Sequence, residues 1–392
     1  MSNIIGIHML TAYPPSNPNR DEDGQPKTAV VGGVKRQRIS SQCIKRTWRM
    51  SEIMKGIEVN FSTRTRSIGA RAEEKMIDGG VSPKLARTYA TYIAEAYGSL
   101  NKKIKGPPEN SEMVVLGHEE VAIVDAIVDA IINPQRNENT DAVEAVNLLI
   151  SLEKKPPPKG KAQNITETEV GESNDESEDK KPKEKRVARL NELLQRSTTS
   201  TDVAMFGRMR ASTPKLSVDA SIYVSHPLTT GKAVIDGDFW TSVDDLNESS
   251  DTGAGGMGDV EFGSGTFYTY VEVNLDALAK NLGGNNANAK DALLKLIDAM
   301  AQTSPSGHKT TFNSSVRASY MRIEIGEPSG NLFCKAFEKP IMGTEESIVA
   351  LKKSAEDEAA VYDLKQTVFE LTANDREQSL KSTLSKIDSA LV

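Results

Sequence analysis

The sequence predicts an α+β protein, and three observations carry that expectation. Segments of strand composition stand far apart along the chain, at 3–12, 217–226, 265–273 and 316–325. Between the first two, residues 63–150 repeat apolar side chains at helical spacing, as in Pro83–Tyr97 and Val121–Ile132. The stretch 153–186 then holds almost no aliphatic residue and mixed blocks of charge. It lacks the apolar surface needed to offset its conformational entropy, so it is expected to be a disordered insertion.

In order, NIIGIHMLTA (3–12) alternates in hydrophobicity and reads as a strand, followed by a polar, Pro-rich loop from Tyr13 to Lys27. A short apolar step, Ala29 to Val31, leads into Gly32-Gly33 and a basic run, and from Ser41 to about Lys55 the pattern is helical. A helix from Val187 to Gln195 restarts order after the charged stretch. SVDASIYVSH (217–226) and GTFYTYVEV (265–273) read as strands around a long excursion, 227–264, rich in Gly, Asp and Ser. Its apolar group is Phe239-Trp240 with Val243 and Leu246, and loops of that length are commonly functional or disordered. Leu275–Asn281 and Ala289–Thr303 read as helices, 316–325 as a strand, and the acidic C-terminal end as mostly helical.

The 392 residues suffice for about two to three domains, with cores that need no disulfide or metal. Two distant cysteines, Cys43 and Cys334, exclude a disulfide scaffold and Cys-rich zinc modules. The N-terminus lacks a signal peptide's basic region, and no apolar run reaches the ~20 residues that cross a bilayer; a soluble cytoplasmic protein is expected. The net charge of −7 is unevenly spread. Residues 1–50 carry eight basic and three acidic side chains, residues 345–392 six basic and ten acidic. Polyanion binding follows local charge, so the acidic total excludes little.

Catalytic patterns are missing from the sequence. His8, His118, His226 and His308 share no metal-ligand spacing, and the Gly253–Gly258 run lacks the ending of a phosphate loop. Asp21, Glu22 and Asp23 form a carboxylate cluster that reads either as a Mg²⁺ site or as a solvated loop.

The informative segment is Val34 to Met54. Lys35, Arg36 and Arg38 follow two glycines, where backbone can approach a phosphate closely. Ser40 or Ser41 suits a helix N-cap, and the helix N-terminus beyond it is an anion site. At about 100° per residue, Gln42, Lys45, Arg46 and Arg49 share one side of that helix. Cys43, Ile44, Thr47, Trp48, Ser51 and Met54 fall on the other. Not one acidic residue lies between Lys35 and Arg49, so the stripe reads as a phosphate-binding face without base readout. Phe239-Trp240 reads either as packing its loop onto the body or as a stacking platform for bases.

These residues resemble a known family. Asn19-Arg20-Asp21, then Gly32 to Gln42, closely resemble the CasC-type backbone subunit of the type I-E CRISPR Cascade complex. Phe206-Gly207-Arg208-Met209, Val218 to Ser221, His226 with Thr229-Thr230, Phe239 to Leu246, Phe262 to Tyr268, Asn274-Leu275 and Asn281 to Gly284 follow in order. The resemblance runs through most of 1–285 and is weakest in 60–190 and in the last hundred residues.

It implies a modified RRM/ferredoxin-like palm from 1–59 and 187–392, a helical finger insertion over 60–186, and a β-hairpin thumb at 227–264. Copies would stack head to tail along CRISPR RNA, with other Cascade subunits, and present the guide to target DNA. Cutting would fall to a recruited helicase-nuclease, with no cofactor, metal or catalytic residue in this chain. By that resemblance Arg20, Lys27, Lys35, Arg36, Arg38, Ser40, Gln42, Lys45, Arg46, Arg49 and Arg208 would bind the RNA, and Met209 would wedge at a kink. Phe239, Trp240, Thr241, Val243 and Leu246 would pack against bases under the thumb. Two departures stand out: the 153–186 insertion, and Phe239 preceding Trp240 where the family pattern has the reverse, which leaves open which ring meets a base. The rival readings are a type III-like subunit that cleaves bound RNA through Asp21 or Asp23, and a stand-alone RNA-binding protein.

Overall fold

A computed structural model describes residues 3–56, 60–103, 105–134, 138–153, 176–210, 213–243, 245, 255–375 and 377–391, with backbone alone over 176–182. The first strand, β1 (Ile4–Ser16), runs past the expected end at Ala12 and through Pro14-Pro15. Its ladder shifts register between Tyr13 and Ser16, an irregularity where prolines forfeit no ladder bond. The apolar step and basic run form a hairpin of β2 (Thr28–Val31) and β3 (Val34–Gln37). It turns on Gly32-Gly33, whose φ values of 61° and 73° meet the two left-handed positions such a turn demands.

Helices α1 (Ser41–Arg49) and α2 (Glu52–Lys55) follow. The next stretch comprises β4 (Thr63–Thr65), α3 (Ile68–Asp78), α4 (Pro83–Tyr97), β5 (Val114–Leu116), α5 (His118–Ile132), α6 (Thr140–Glu153) and α7 (Glu176–Leu194). The expected disordered insertion therefore overreaches. Residues 176–186 are helical, continuous with the anchored end of α7 at Leu190, Leu193 and Leu194, while 154–175 lie outside the described residues.

The chain continues through α8 (Thr201–Phe206), β6 (Ile222–Val224), β7 (Leu228–Thr229), β8 (Ile235–Ser242) and β9 (Gly256–Asn274). After α9 (Leu275–Asn281), α10 (Asn286–Gln302) and α11 (Lys309–Phe312) come β10 (Tyr320–Gly326), α12 (Phe333–Ala336), α13 (Thr344–Val361), β11 (Gln366–Thr372) and α14 (Leu380–Ala390). The mostly helical C-terminal end thus hides an edge strand, β11, laddered to β10 from Tyr320–Thr372 to Gly326–Gln366.

The chain divides into two compact units. The first comprises Met1–Val59, Ala204–Gly207 and Asp219–Val392. Its antiparallel sheet has the order β11-β10-β1-β9-β6, with β7 and β8 also pairing with β9. Without β11, the four central strands and the helices after β1 and β9 trace the β-α-β-β-α-β path of an RRM-like fold. One sheet face, with Ile5, Ile7, Met9, Val271 and Ile323, is apolar and buried, and Ile44 and Trp48 of α1 with Met300 of α10 pack near Met9. The other face carries Leu10, Tyr268, Tyr270 and Tyr320 beneath Leu332, Phe333, Phe337 and Leu351.

Beside that second core runs a buried polar chain. Arg322 Nε donates to Glu324 at 2.6 Å, as does the Ser329 N–H at 2.6 Å, and the His8 ring lies 3.5 Å away. Burial alone would raise the Glu324 pKa, but His8, Arg322 and the Ser329 N–H together hold it below the ordinary carboxylate value. A depressed native pKa stabilises the fold above the unfolded value, and that contribution is lost as pH falls through the native one. Acid should therefore destabilise this unit, and Glu324→Gln should flatten the dependence in urea titrations at neutral and acid pH.

The second unit comprises Asn60–Val203 and Arg208–Val218, a helical body around Met76, Tyr89, Ile93, Ile127, Leu149, Leu190 and Leu194. Residues 187–203 and 208–218, expected with the palm, lie in this unit because α7 supplies core leucines and Arg208 and Arg210 pair with Glu120 of α5.

Candidate nucleic-acid interface

The loop after β1 carries the first predicted basic residues and is tied down at both ends. Asn17 Nδ2 donates to Gly24 O at 3.0 Å and Glu261 O at 2.9 Å, placing the loop against the base of the β8–β9 hairpin. The Lys27 N–H donates to Asn19 O at 3.0 Å, and the Arg38 N–H to Lys27 O at 2.7 Å. Asn19 Oδ1 accepts the Ser40 N–H at 2.8 Å, and the Ser40 hydroxyl caps α1 by accepting the Cys43 N–H at 3.3 Å. The Ile39 N–H donates to Pro227 O at 2.9 Å, bringing the 226–228 turn alongside. Three separate chain segments therefore converge at the start of α1.

The convergence is electropositive. Arg38 Nη1 donates to His226 Nδ1 at 2.9 Å, and Lys45 Nζ stands 5.8 Å from the centre of the Phe206 ring. The His226 pKa is lowered by burial first, then by the charges of Arg38, Lys27 and Lys45. Burial raises the Cys43 thiol pKa, against the weaker opposing pull of Lys27 and Arg46. An open cleft of about 750 Å³ adjoins, lined among others by Asn19, Arg20, Cys43, Arg46, Thr47 and Ser306. On its side Arg20 Nη1 donates to His308 Nε2 at 2.9 Å.

Several expected contacts belong to this surface and others do not. Arg20, Lys35, Gln42 and Arg46 are exposed, and Lys27, Arg38, Ser40 and Lys45 are half-buried. Arg36 is wholly buried: its guanidinium donates to the carbonyls of Thr229, Thr230, Phe337 and Glu338. Strand alternation turns Lys35 outward and Arg36 inward, so Arg36 is a structural clamp and leaves the RNA set. Arg49 is buried too, at 8% exposure. The helix buries Ser41, Ile44, Trp48 and Arg49, a face rotated from the expected one, so the basic stripe narrows to Lys45 and Arg46 beside Gln42. Arg208 likewise leaves the set, its side chain ion-paired with buried Glu120 at 2.7 Å.

In the helical unit the next residue, Met209, is 89% exposed between two buried arginines. On the hairpin, Phe239 is 65% and Trp240 47% exposed, and Thr241 and Val243 also face out. Leu246 lies outside the described residues. Trp240 pairs with Gly258, and a Cβ there would sit 2.8 Å from three atoms of the indole. Gly258→Val should expel the ring and speed proteolysis of the hairpin while leaving global unfolding within about 0.5 kcal/mol.

Asp21, Glu22 and Asp23 form a turn. Asp21 Oδ1 accepts the N–H groups of Asp23 at 3.1 Å and Gln25 at 2.9 Å. No group of three or more His, Cys, Asp or Glu suited to a metal occurs among the described residues, and no helix among them is long and apolar enough to cross a membrane. No local spacing in the sequence singles out His226 or His308; only the fold brings them to arginines.

An RRM usually stacks bases on the aromatic face of its sheet. Here that face is filled by Phe333, Phe337 and Leu351, so it is closed to bases.

The fold has close solved counterparts. A chain of a "CRISPR RNA-guided surveillance complex, pre-nicking" is 26% identical, with 99% of this chain and 100% of that chain covered and a TM-score of 0.75. A chain of a "CRISPR RNA-guided surveillance complex" is 23% identical, with 99% of each covered and a TM-score of 0.67, a likeness of fold alone. Comparison with curated proteins yields no match. A family model described as CT1975-like protein matches residues 5–390, so the chain belongs to the CT1975-like family.

Proposed function

We propose that this chain is a subunit of a CRISPR RNA-guided surveillance complex, the guide-binding backbone of a type I-E Cascade. The observation that carries membership is the end-to-end likeness to a chain of a CRISPR RNA-guided surveillance complex, and the type I-E backbone role rests on the sequence resemblance. The convergence of Lys27, Arg38, Lys45 and Arg46 supports it, since phosphates are what a cluster without base-reading geometry can hold. Sequence choice would rest on guide–target pairing, and the protein would grip backbone.

Residues 233–264 support the head-to-tail arrangement. They contain eight acidic and no basic side chains, and the hairpin exposes Phe239, Val243 and Met257. An acidic hairpin with exposed apolar side chains suits the basic surface of another copy better than it suits bare RNA. The hairpin would separate bases through its apolar side chains. Met209 would wedge between bases at a kink. Other Cascade subunits, target DNA and a recruited helicase-nuclease complete the partners, and this chain would do no chemistry.

The test is purification from cells that carry a CRISPR array, followed by sequencing of the bound RNA. Repeat-derived guides of one length on a multi-copy particle are expected. Mg²⁺-dependent cleavage of complementary RNA would instead favour the type III-like reading.

A further inference from the structure

Two arginines at this surface make the same uncommon contact. Arg38 Nη1 meets His226 Nδ1, and Arg20 Nη1 meets His308 Nε2, each at 2.9 Å. A guanidinium only donates, so each imidazole accepts through an unprotonated nitrogen and is neutral, with its proton on the other nitrogen. His226 faces Lys27 from the loop before β2, Arg38 from the segment after β3, and Lys45 from α1. His308 faces Arg20 and the Phe312 ring, and shares a recess with Asp23, Asp259 and Glu261.

We infer that His226 and His308 are proton-linked members of the RNA site. Each imidazole occupies, in the free protein, an arginine N–H that a phosphate oxygen takes over. The released imidazole then binds a proton from solvent. The inference rests on the RNA-binding reading and adds its regulation by pH.

The electrostatics run the same way. Burial and then neighbouring cations lower the pKa of both rings in the free protein, Arg20 supplying the charge at His308. A phosphate in the cluster reverses the sign of the local field and favours imidazolium. Binding that takes up protons tightens as pH falls, by at most about tenfold per pH unit for each histidine.

The experiment titrates the full-length chain with a fluorescein-labelled, mixed-sequence single-stranded RNA between about pH 8 and about pH 6. Wild type should gain about tenfold or more over that range. The double variant His226→Gln/His308→Gln keeps an acceptor for each arginine but cannot titrate, so its slope of log affinity against pH should flatten, whatever its affinity at pH 8. Flat wild-type affinity, or equal slopes in the two proteins, overturns the inference alone. Absence of binding at every pH overturns the RNA reading beneath it.

Discussion

Glu120→Ala is expected to destabilise the helical unit by about 3–5 kcal/mol, the loss seen when one partner of a buried ion pair is removed. Glu120 is fully buried and, among the described residues, is the carboxylate paired with both Arg208 and Arg210. Arg208 Nη1 donates to it at 2.7 Å, and Arg210 Nη2 reaches both of its oxygens at 2.6 and 2.7 Å. The Gly117 N–H, at 2.8 Å, and the Arg196 N–H, at 3.1 Å, also depend on it. Truncation strands two buried cations and two backbone donors. The two units need not unfold together, so the measurement should be hydrogen exchange within α5 rather than a whole-chain melt. A loss under about 1 kcal/mol would show that the arginines find other partners. Replacing all three residues by apolar ones should recover much of the loss, because the group as a whole is far less stabilising than its halves are destabilising. That rescued chain would also test whether the clamp matters for how Met209 is held out.

The second large effect concerns affinity. Lys45→Glu/Arg46→Glu should weaken RNA binding by about 10²- to 10³-fold at moderate salt, and lower the slope of log affinity against log salt by about 2. The same charge change at exposed Lys353 and Lys381 should do neither. Arg36→Ala separates charge from structure: it empties a four-carbonyl clamp and should cost stability, yet any folded fraction should keep its salt slope. An unchanged salt slope in the Lys45/Arg46 variant would remove α1 from the interface.

What could be read from residues alone depended on how local the physics was. The α1 cap and its buried Ile44 and Trp48 follow from short-range pattern, and both stand. Alternation sets Lys35 and Arg36 on opposite sides of β3, but which of them turns inward, and that Arg49 does so on α1, depends on what packs over each. Arg208 looked like one more cation until α5 placed a buried carboxylate under it, 88 residues away in sequence. The strand β11 was missed because seven residues in an acidic, helix-rich context carry little period-2 signal, whereas its ladder to β10 is a tertiary fact. The arginine–histidine pairs span 188 and 288 residues, beyond any motif.

The tryptophans have a practical consequence. The chain has two, and the fold assigns them opposite surroundings: Trp48 is fully enclosed between α1 and the sheet, and Trp240 is half in water on the hairpin. Their emission should differ in colour, blue for the enclosed ring and red for the wet one. A soluble quencher should silence the second while sparing the first. Single Trp→Phe substitutions would then resolve one spectrum into two clocks, one timing the folding of the palm and the other the arrival of whatever covers the hairpin.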